Sequence, residues 1–331
     1  MFDIISIGSA TLDVFIKSSD LKLLKTDEVF TGEAIIAPYG AKCEVEKLVI
    51  TSGGGGTNTA VGFARLGVKA AVLARCGWDF AGRMIRKELK KEKVDDSLLI
   101  QIEGDQTDYS TILIGPDGGR SILVYRGGTK LEKSVIAFQK LKTKWFYISS
   151  LEGNLDLLAK TIEFAKKSKI KVAVNPGRRE IEQKEKLLPL LEKVDVLIIN
   201  REEAAKLVEE EFFDPKLFKK TALVSEGLVV VTQGAKGVYL FDQEDNLLVS
   251  DGFKVKMVDA TGAGDGFGCG FVAGLIKGWG LEKALKLGIS NGAAAIIEIG
   301  AKAGLLYEKN IHNRLQKPLK MEWKKQPKDL K

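Results

Sequence analysis

Apolar and polar positions along the chain fall into two regimes that meet near Thr129. Beyond it, apolar runs of strand length alternate with segments of helical period: strand Trp145 to Ser150, helix Leu155 to Lys167, strand Ile170 to Asn175, helix at about 180–193, strand Val194 to Asn200, helix Glu202 to Glu209 and strand Leu228 to Thr232. A hairpin-like pair at 237–242 and 246–250 and two long helical segments, 262–279 and 281–299, follow. Strands alternating with helices predict an α/β fold with a mostly parallel sheet covered on both faces, and ligands on such sheets gather at the carboxyl ends of the strands. Gly8, Glu152, Asn175, Asn200 and Gln233 fall at or just after such ends.

The first part of the chain has another texture. Residues 2–8 read as a buried strand ending at Gly8, with Asp13 close behind. Residues 12–17 and about 28–50 carry short β-like runs, Glu33 to Ile36 and Cys43 to Ile50, with no helical period, which predicts a small β-rich insertion. Gly53-Gly54-Gly55-Gly56-Thr57-Asn58 then leads into a helix, Thr59 to Leu66, closed by Gly67. Ala70 to Cys76 reads as a strand and Asp79 to Lys93 as a helix. Residues 98–103, 108–115 and 120–126 are again β-like, with a tight turn at Gly115 to Gly119, and are suited to pair with the earlier insertion.

The chemistry concentrates in Val258 to Phe267. Thr261 to Gly264 leave backbone N–H groups free to point one way at the start of a helix that the apolar run Phe267 to Ile276 predicts. Glycines admit close approach and the helix dipole attracts an anion, so the turn suits a phosphate. Asp265 would repel that ligand unless it takes part in the reaction, as a general base removing a proton from a hydroxyl that attacks a phosphoryl group. An ordinary helix start with an aspartate in its first turn is the competing reading. Gly262, Gly266, Gly270, Gly274 and Gly278 recur every four residues. Each glycine inside a helix costs about 1 kcal/mol relative to alanine. The stripe therefore predicts a helix face pressed on the sheet, with Phe267, Phe271 and Leu275 beside it.

Composition removes several classes. A chain of 331 residues that is 45% apolar can bury a substantial core. Met1 to Gly8 has an acid at position 3 and no basic leader, and no apolar run is long enough to span a membrane. Cys43, Cys76 and Cys269 are odd in number and widely spaced, which argues against a disulfide framework or a zinc cluster and for thiols in a reducing cytoplasm. His312 lies far from every motif and reads as a surface residue. The net charge of +7 raises the question of nucleic acid, but Lys317 to Lys331 alone carries six lysines against two acids, and elsewhere lysines are interspersed with glutamates. A solvated surface explains that distribution without a nucleic-acid partner, and its field suits an anionic substrate such as a nucleotide.

Further motifs are individually weak. There is no G-x-x-x-x-G-K-[ST], and Gly268-x-Gly270-x-x-Ala273, a loose match to a dinucleotide fingerprint, lies inside a helix. Asn200-Arg201-Glu202-Glu203 reads as a capping box or as groups holding the water shell of a magnesium ion. Thr232 to Gly237 reads as a Gly-rich turn or a loop near a nucleotide.

Together, D-x-T-G-A-G-D at Asp259 to Asp265, GG-x-G-x-N at Gly53 to Asn58, N-x-x-E at Asn200 to Glu203 and T-x-G at Thr232 to Gly234 appear in an order and strand context that resembles the ribokinase-like, or phosphofructokinase B, family of carbohydrate kinases. Asp13, Glu152 and Asn175-Pro176 also look like family positions, so the resemblance covers nearly the whole chain. It implies a ribokinase-like three-layer fold with a central mostly parallel sheet, a single α/β kinase domain over 1–331 with a small β-rich lid from about 12–51 and 97–127. It implies Asp265 as base, an anion hole at the amides of Gly262, Ala263 and Gly264, and Asp13, Gly53, Gly54, Asn58 and Glu152 around the acceptor. Thr232, Gly234 and Asn291 would lie along ATP, and Asn200 with Glu203 would organise Mg2+ through water.

The resemblance implies Asp259 as the residue that a monovalent cation would use, but the segment Asn291 to Ala301 is shorter than in similar family members and carries Glu298, which counts against potassium activation. Trp78 has no assigned role, and Arg120 and Arg126 in the lid could contact the phosphate of a sugar phosphate, although surface arginines are the usual case. The activity implied is ATP-dependent phosphorylation of a furanose-type sugar, ribose or fructose first, a nucleoside such as adenosine second, a sugar phosphate third. A non-catalytic nucleotide- or sugar-binding protein on the same fold is the alternative from another class, and the intact Asp265 argues against it. A dehydrogenase is disfavoured by the misplaced glycines. An exposed apolar lid face would favour a homodimer through the lid.

Overall fold

The computed structural model describes residues 1–325 apart from 30, 215, 243 and 245, so the end of the basic segment Lys317 to Lys331 lies outside the described residues. Nine strands form one sheet in the order Met321–Lys325, Asn246–Ser250, Val238–Phe241, Leu228–Thr232, Val196–Asn200, Lys171–Val174, Thr143–Ile148, Phe2–Ile7, Ala70–Leu73. From Leu228–Thr232 to Ala70–Leu73 neighbouring strands are parallel, and the other three continue as an antiparallel flank.

The parallel strands are unbroken apolar runs because both of their faces are covered. Ile5, Ile7, Phe146, Ile148, Leu197 and Ile199 pack in one core with helices Leu155–Ser168, Lys184–Leu191, Arg201–Val208 and Lys216–Ala222. Ile4, Tyr147, Val196 and Ile198 turn the other way, onto helices Gly55–Arg65, Ala263–Ile276, Leu281–Ala295 and Glu308–Leu315. These are the three layers expected. No helix among the described residues is long and apolar enough to cross a membrane.

A second sheet of four strands, in the order Arg120–Tyr125, Asp108–Ile114, Thr11–Lys17, Lys47–Gly53, joins both β-rich stretches. Thr11–Lys17 runs parallel to Asp108–Ile114 and antiparallel to Lys47–Gly53. Phe15, Ile112 and Ile114 pack with Ile299, whereas Leu48, Ile50, Ile122, Leu123, Val124 and Tyr125 are exposed. Ile100–Ile102 does not join this sheet; it pairs with Arg75–Gly77, which is split from Ala70–Leu73.

Several expectations are corrected. Helix Gly55–Arg65 begins at Gly55 rather than Thr59, because its bare glycines press against the turn after the first strand: Gly56 N–H donates to Ser9 O at 3.1 Å. The glycine stripe of Ala263–Ile276 faces a helix and not the sheet. A Cβ on Gly270 would lie 2.8 Å from Leu287 O, and one on Gly274 would lie 2.7 Å from the Ala284 backbone, both on Leu281–Ala295. The segment at 180–193 divides into Arg178–Ile181 and Lys184–Leu191. Helices Lys216–Ala222 and Glu308–Leu315 and the edge strand Met321–Lys325 are not visible in the hydrophobic pattern, being short or richly charged.

The topology sets the position of the site. Phe2–Ile7 lies between Ala70–Leu73 and Thr143–Ile148, so the chain goes to opposite sides of its first strand. A crevice opens at the carboxyl edge of a sheet at such a switch point.

Candidate active site

Two helix starts meet in that crevice. Helix Ala263–Ile276 opens after Gly262, whose φ of 79° is left-handed and whose Cβ, if present, would lie 2.5 Å from Ala301 O. The first N–H groups of a helix have no carbonyl partner inside it, and nothing lies within 4 Å of where a Cβ on Gly264 would stand. Asp265 follows in the first turn. Opposite it, Asn58 on Gly55–Arg65 donates from Nδ2 to Asp265 Oδ2 at 2.9 Å, joining two motifs far apart in sequence. Burial pushes the Asp265 carboxyl up to about 6, opposed by the Asn58 bond and the charge of Lys302.

The next wall is made by the smaller sheet and the turn after Thr143–Ile148. Asp13, on Thr11–Lys17, is buried and accepts from Thr11 Oγ1 at 2.9 Å. Burial raises its pKa, against bonds from Thr11 and Ser110. Gly53 lies so close that a Cβ there would meet the Asp13 carboxylate, and Gly54 takes a left-handed φ of 87° beside Ser9 O. Glu152 is itself left-handed, at φ 57°, and burial raises its pKa too. Arg126 Nη1 lies 2.7 Å from Asp108 Oδ2 and 2.8 Å from Glu152 Oε1, the latter as an ion pair without hydrogen-bond alignment.

Asn200 and Glu203 close a full capping box on Arg201–Val208: Asn200 Oδ1 accepts from Glu203 N–H and Glu203 Oε2 from Asn200 N–H, each at 2.9 Å. Burial raises the pKa of Glu203. The buried Tyr147 phenol is pushed well up by burial, with the charges of Asp265 and Glu203 adding to the shift. Among the described residues no group of three His, Cys, Asp or Glu side chains forms a metal cage. Glu203 Oε1 takes no part in the capping box, and a carboxylate oxygen of this kind is a group that could hold the water shell of an ion carried on phosphates.

Thr232 ends its strand, Gly234 is left-handed at φ 57°, and between them Gln233 Nε2 is buried without a partner, a donor waiting for an acceptor. Asp259 is buried, with Oδ1 accepting from Thr261 Oγ1 at 2.6 Å and Oδ2 from Gly300 N–H at 3.0 Å, and Arg120 Nη1 is 3.9 Å away.

Asn291 is not brought to the crevice. It is fully buried, donates to Gly266 O at 2.7 Å and accepts from Leu306 N–H at 2.9 Å, so its amide ties two helices and a turn together. Trp78 and His312 are exposed, and all three cysteines are free thiols.

Three residues escaped the sequence reading. Lys302 is buried beside Asn58, Ser52 and Glu88. Glu180 accepts from the N–H groups of Leu151 at 2.7 Å, Gly153 at 2.8 Å and Gly177 at 2.9 Å, fixing the turn that carries Glu152. Asp108 holds Thr129 and the Gly127 N–H as well as Arg126. Lys302 had a signal, a lone charge among small and apolar residues from Ile299 to Leu306; the acids look like surface residues in one dimension.

Comparison with known proteins identifies the family and the fold. Residues 3–306 match the family described as pfkB family carbohydrate kinase. A ribokinase of Haemophilus influenzae is 28% identical over 288 residues, covering 85% of this chain and 88% of that protein. A nucleoside kinase of Methanocaldococcus jannaschii is 27% identical over 270 residues, covering 80% and 85%. An Arabidopsis thaliana ribokinase solved with ribose and ATP superposes with a TM-score of 0.78 at 19% identity, covering 96% of this chain and 99% of that one. The last likeness concerns the fold.

Proposed function

Because the chain belongs to the pfkB family of carbohydrate kinases, we propose that it transfers the γ-phosphoryl group of ATP to a hydroxyl of a neutral furanose-type sugar, ribose or fructose first. The observation that carries this reading is the 2.9 Å bond between Asn58 and Asp265 at an open helix N-terminus, which joins an amide and a carboxylate in one crevice. Asp265 takes the hydroxyl proton, the oxygen attacks the γ-phosphorus, and ADP leaves. The amides of Gly262, Ala263 and Gly264 stabilise charge on the transferred group. Asp13, Gly53, Gly54, Asn58 and Glu152 form the acceptor wall, and carboxylates there accept from polyol hydroxyls.

Thr232 and Gly234 would run along the nucleotide, and Asn200 with Glu203 would hold the water shell of Mg2+, which neutralises phosphate charge. Asn291 would act only by positioning the signature helix, since its own amide is spent. A monovalent cation at Asp259 is disfavoured because Arg120 already supplies a cation. The smaller sheet would close over the acceptor as a lid and exclude water, which otherwise competes for the phosphoryl group. Its exposed residues Leu123 and Tyr125 would pair two copies through the lid, and a monomer in sedimentation would remove that part of the reading. A cytoplasmic setting supplies the ATP.

The charge of the wall favours a neutral acceptor over a sugar phosphate. Arg126 is spent on Asp108 and Glu152, and Arg120 lies against Asp259, so neither is free for a second phosphate. ADP release with ATP and Mg2+ on ribose, fructose, adenosine and fructose 6-phosphate tests this. Turnover of a neutral acceptor is expected, adenosine would move the reading to a nucleoside kinase, and preference for fructose 6-phosphate would overturn it.

A further inference from the structure

Lys302 is only 2% exposed, an unusual place for an ammonium. Burying a charge costs more than burying an apolar chain of the same volume, and a residue kept only for packing would do as well as methionine. Its ammonium has three neighbours, two hydrogen-bond acceptors and one carboxylate. Nζ donates to Ser52 O and to Asn58 Oδ1 at 3.2 Å, and it lies 3.5 Å from Glu88 Oε1. Glu88 is held in turn by Thr51 Oγ1 at 3.0 Å and Ser52 N–H at 2.6 Å. Enclosed by these neighbours and only 2% exposed, Lys302 acts on a ligand through them.

Asn58 is the neighbour that matters. Its amide stands between an ammonium, which can only donate, and the Asp265 carboxylate, which accepts when ionised. Only one orientation satisfies both, with Oδ1 toward Lys302 and Nδ2 toward Asp265 Oδ2. Remove the ammonium and the amide can turn over or swing away.

We infer that Lys302 is a positioning residue for the phosphoryl transfer: by holding Asn58 Oδ1 it makes Asn58 grip Asp265 Oδ2 and leaves Asp265 Oδ1 to receive the acceptor's proton. The inference rests on Asp265 being the base. The chain of contacts runs from helix Phe80–Lys91 (Glu88) through Lys302 and helix Gly55–Arg65 (Asn58) to helix Ala263–Ile276 (Asp265), so a buried cation ties three helices to one oxygen atom.

The charges around the ammonium are accounted for. Glu88 and Asp13 face it from helix Phe80–Lys91 and strand Thr11–Lys17 and favour the charged form; burial and Arg65 oppose it. Around Asp265, burial raises the Tyr147 phenol and the Cys269 thiol far above their ordinary values, so both stay neutral while Asp265 titrates. Lys302 is thus the positive charge that favours the ionised base, and its bond to Asn58 is what aims it.

The test compares the wild type with Lys302→Met on an acceptor that the wild type turns over, from about pH 5 to about pH 9, beside Asn58→Ala and the double variant. The expected loss in kcat is about tenfold to a hundredfold, with the acid limb of the profile moved upward by about half a unit to one unit. The losses from Lys302→Met and Asn58→Ala should fail to multiply, since both break one chain of contacts. Should Lys302→Met not fold because Glu88 is left unpaired, Lys302→Met/Glu88→Gln, which removes both charges, carries the same test. An unmoved acid limb with losses that multiply would overturn the inference while the kinase reading stands. A wild type that turns over no acceptor would take both away.

Discussion

Helices Gly55–Arg65 and Ala263–Ile276 look alike in sequence and differ in what lies over their first turns. Each follows a left-handed glycine, Gly54 at φ 87° and Gly262 at φ 79°, and each aims its amide end into the same crevice. The first end is stopped by protein: Gly56 N–H donates to Ser9 O, and a Cβ on Gly56 would lie 2.9 Å from Gly8. The second end is open at Gly264. A glycine-rich helix start therefore serves either close backbone packing or an anion, and the deciding fact is tertiary. The closed start delivers a side-chain amide, Asn58; the open one delivers bare amides and a carboxylate, Asp265.

The largest effect should come from the open start. Asp265→Asn is expected to lower kcat about a thousandfold while nucleotide binding persists. Its stability should move the other way. The folded carboxyl titrates near 6 and the unfolded one near 3.8, so the ionised form is penalised in the folded state. That penalty is absent below the unfolded value, grows as pH rises through the folded value, and is full above it. At pH 8 the variant should be more stable by on the order of 1–3 kcal/mol in urea unfolding, because a neutral amide relieves it.

Next come the two left-handed positions. Gly54→Ala and Gly262→Ala should each cost about 1–3 kcal/mol of stability, since alanine is strained there and meets a carbonyl at 2.5 Å in both cases. The comparison predicts that they part in kinetics: Gly54→Ala raises the KM of the acceptor, and Gly262→Ala that of ATP.

Gly264→Ala sharpens the contrast because nothing protein-made crowds it. Stability should stay within about 0.5 kcal/mol, while kcat/KM for ATP falls about tenfold if phosphate occupies that space. Arg126→Ala should do least, a several-fold change in the acceptor's KM with kcat nearly kept, because the half-exposed guanidinium only balances Asp108 and Glu152. A gain in turnover of a sugar phosphate by this variant would contradict the charge argument.

What the sequence made legible were features written in contiguous residues. The parallel strands show as apolar runs because each is buried on both sides, and the signature turn shows because glycine, threonine and aspartate sit together. Features made by juxtaposition did not show. The glycine stripe implies a close partner without saying that Leu281–Ala295, rather than the sheet, supplies it. The family pattern sets Asn291 along ATP, whereas its side chain closes a helix–helix contact. Glu180, Asp108 and Lys302 gain their roles from bonds to residues remote in sequence, and in a one-dimensional pattern a buried charge looks like any other. Strand Met321–Lys325, with lysines and a glutamate on the sheet's edge, reads as tail because edge strands tolerate charge.

The most direct test of the account is the pH dependence of ADP release by the wild type, with ATP, Mg2+ and ribose or fructose, beside Asp265→Asn. The account predicts wild-type turnover that falls away as pH drops through about 6, and a variant that binds nucleotide but shows almost no turnover. An Asp265→Asn protein that keeps most of its kcat, with the same acid limb, would contradict it.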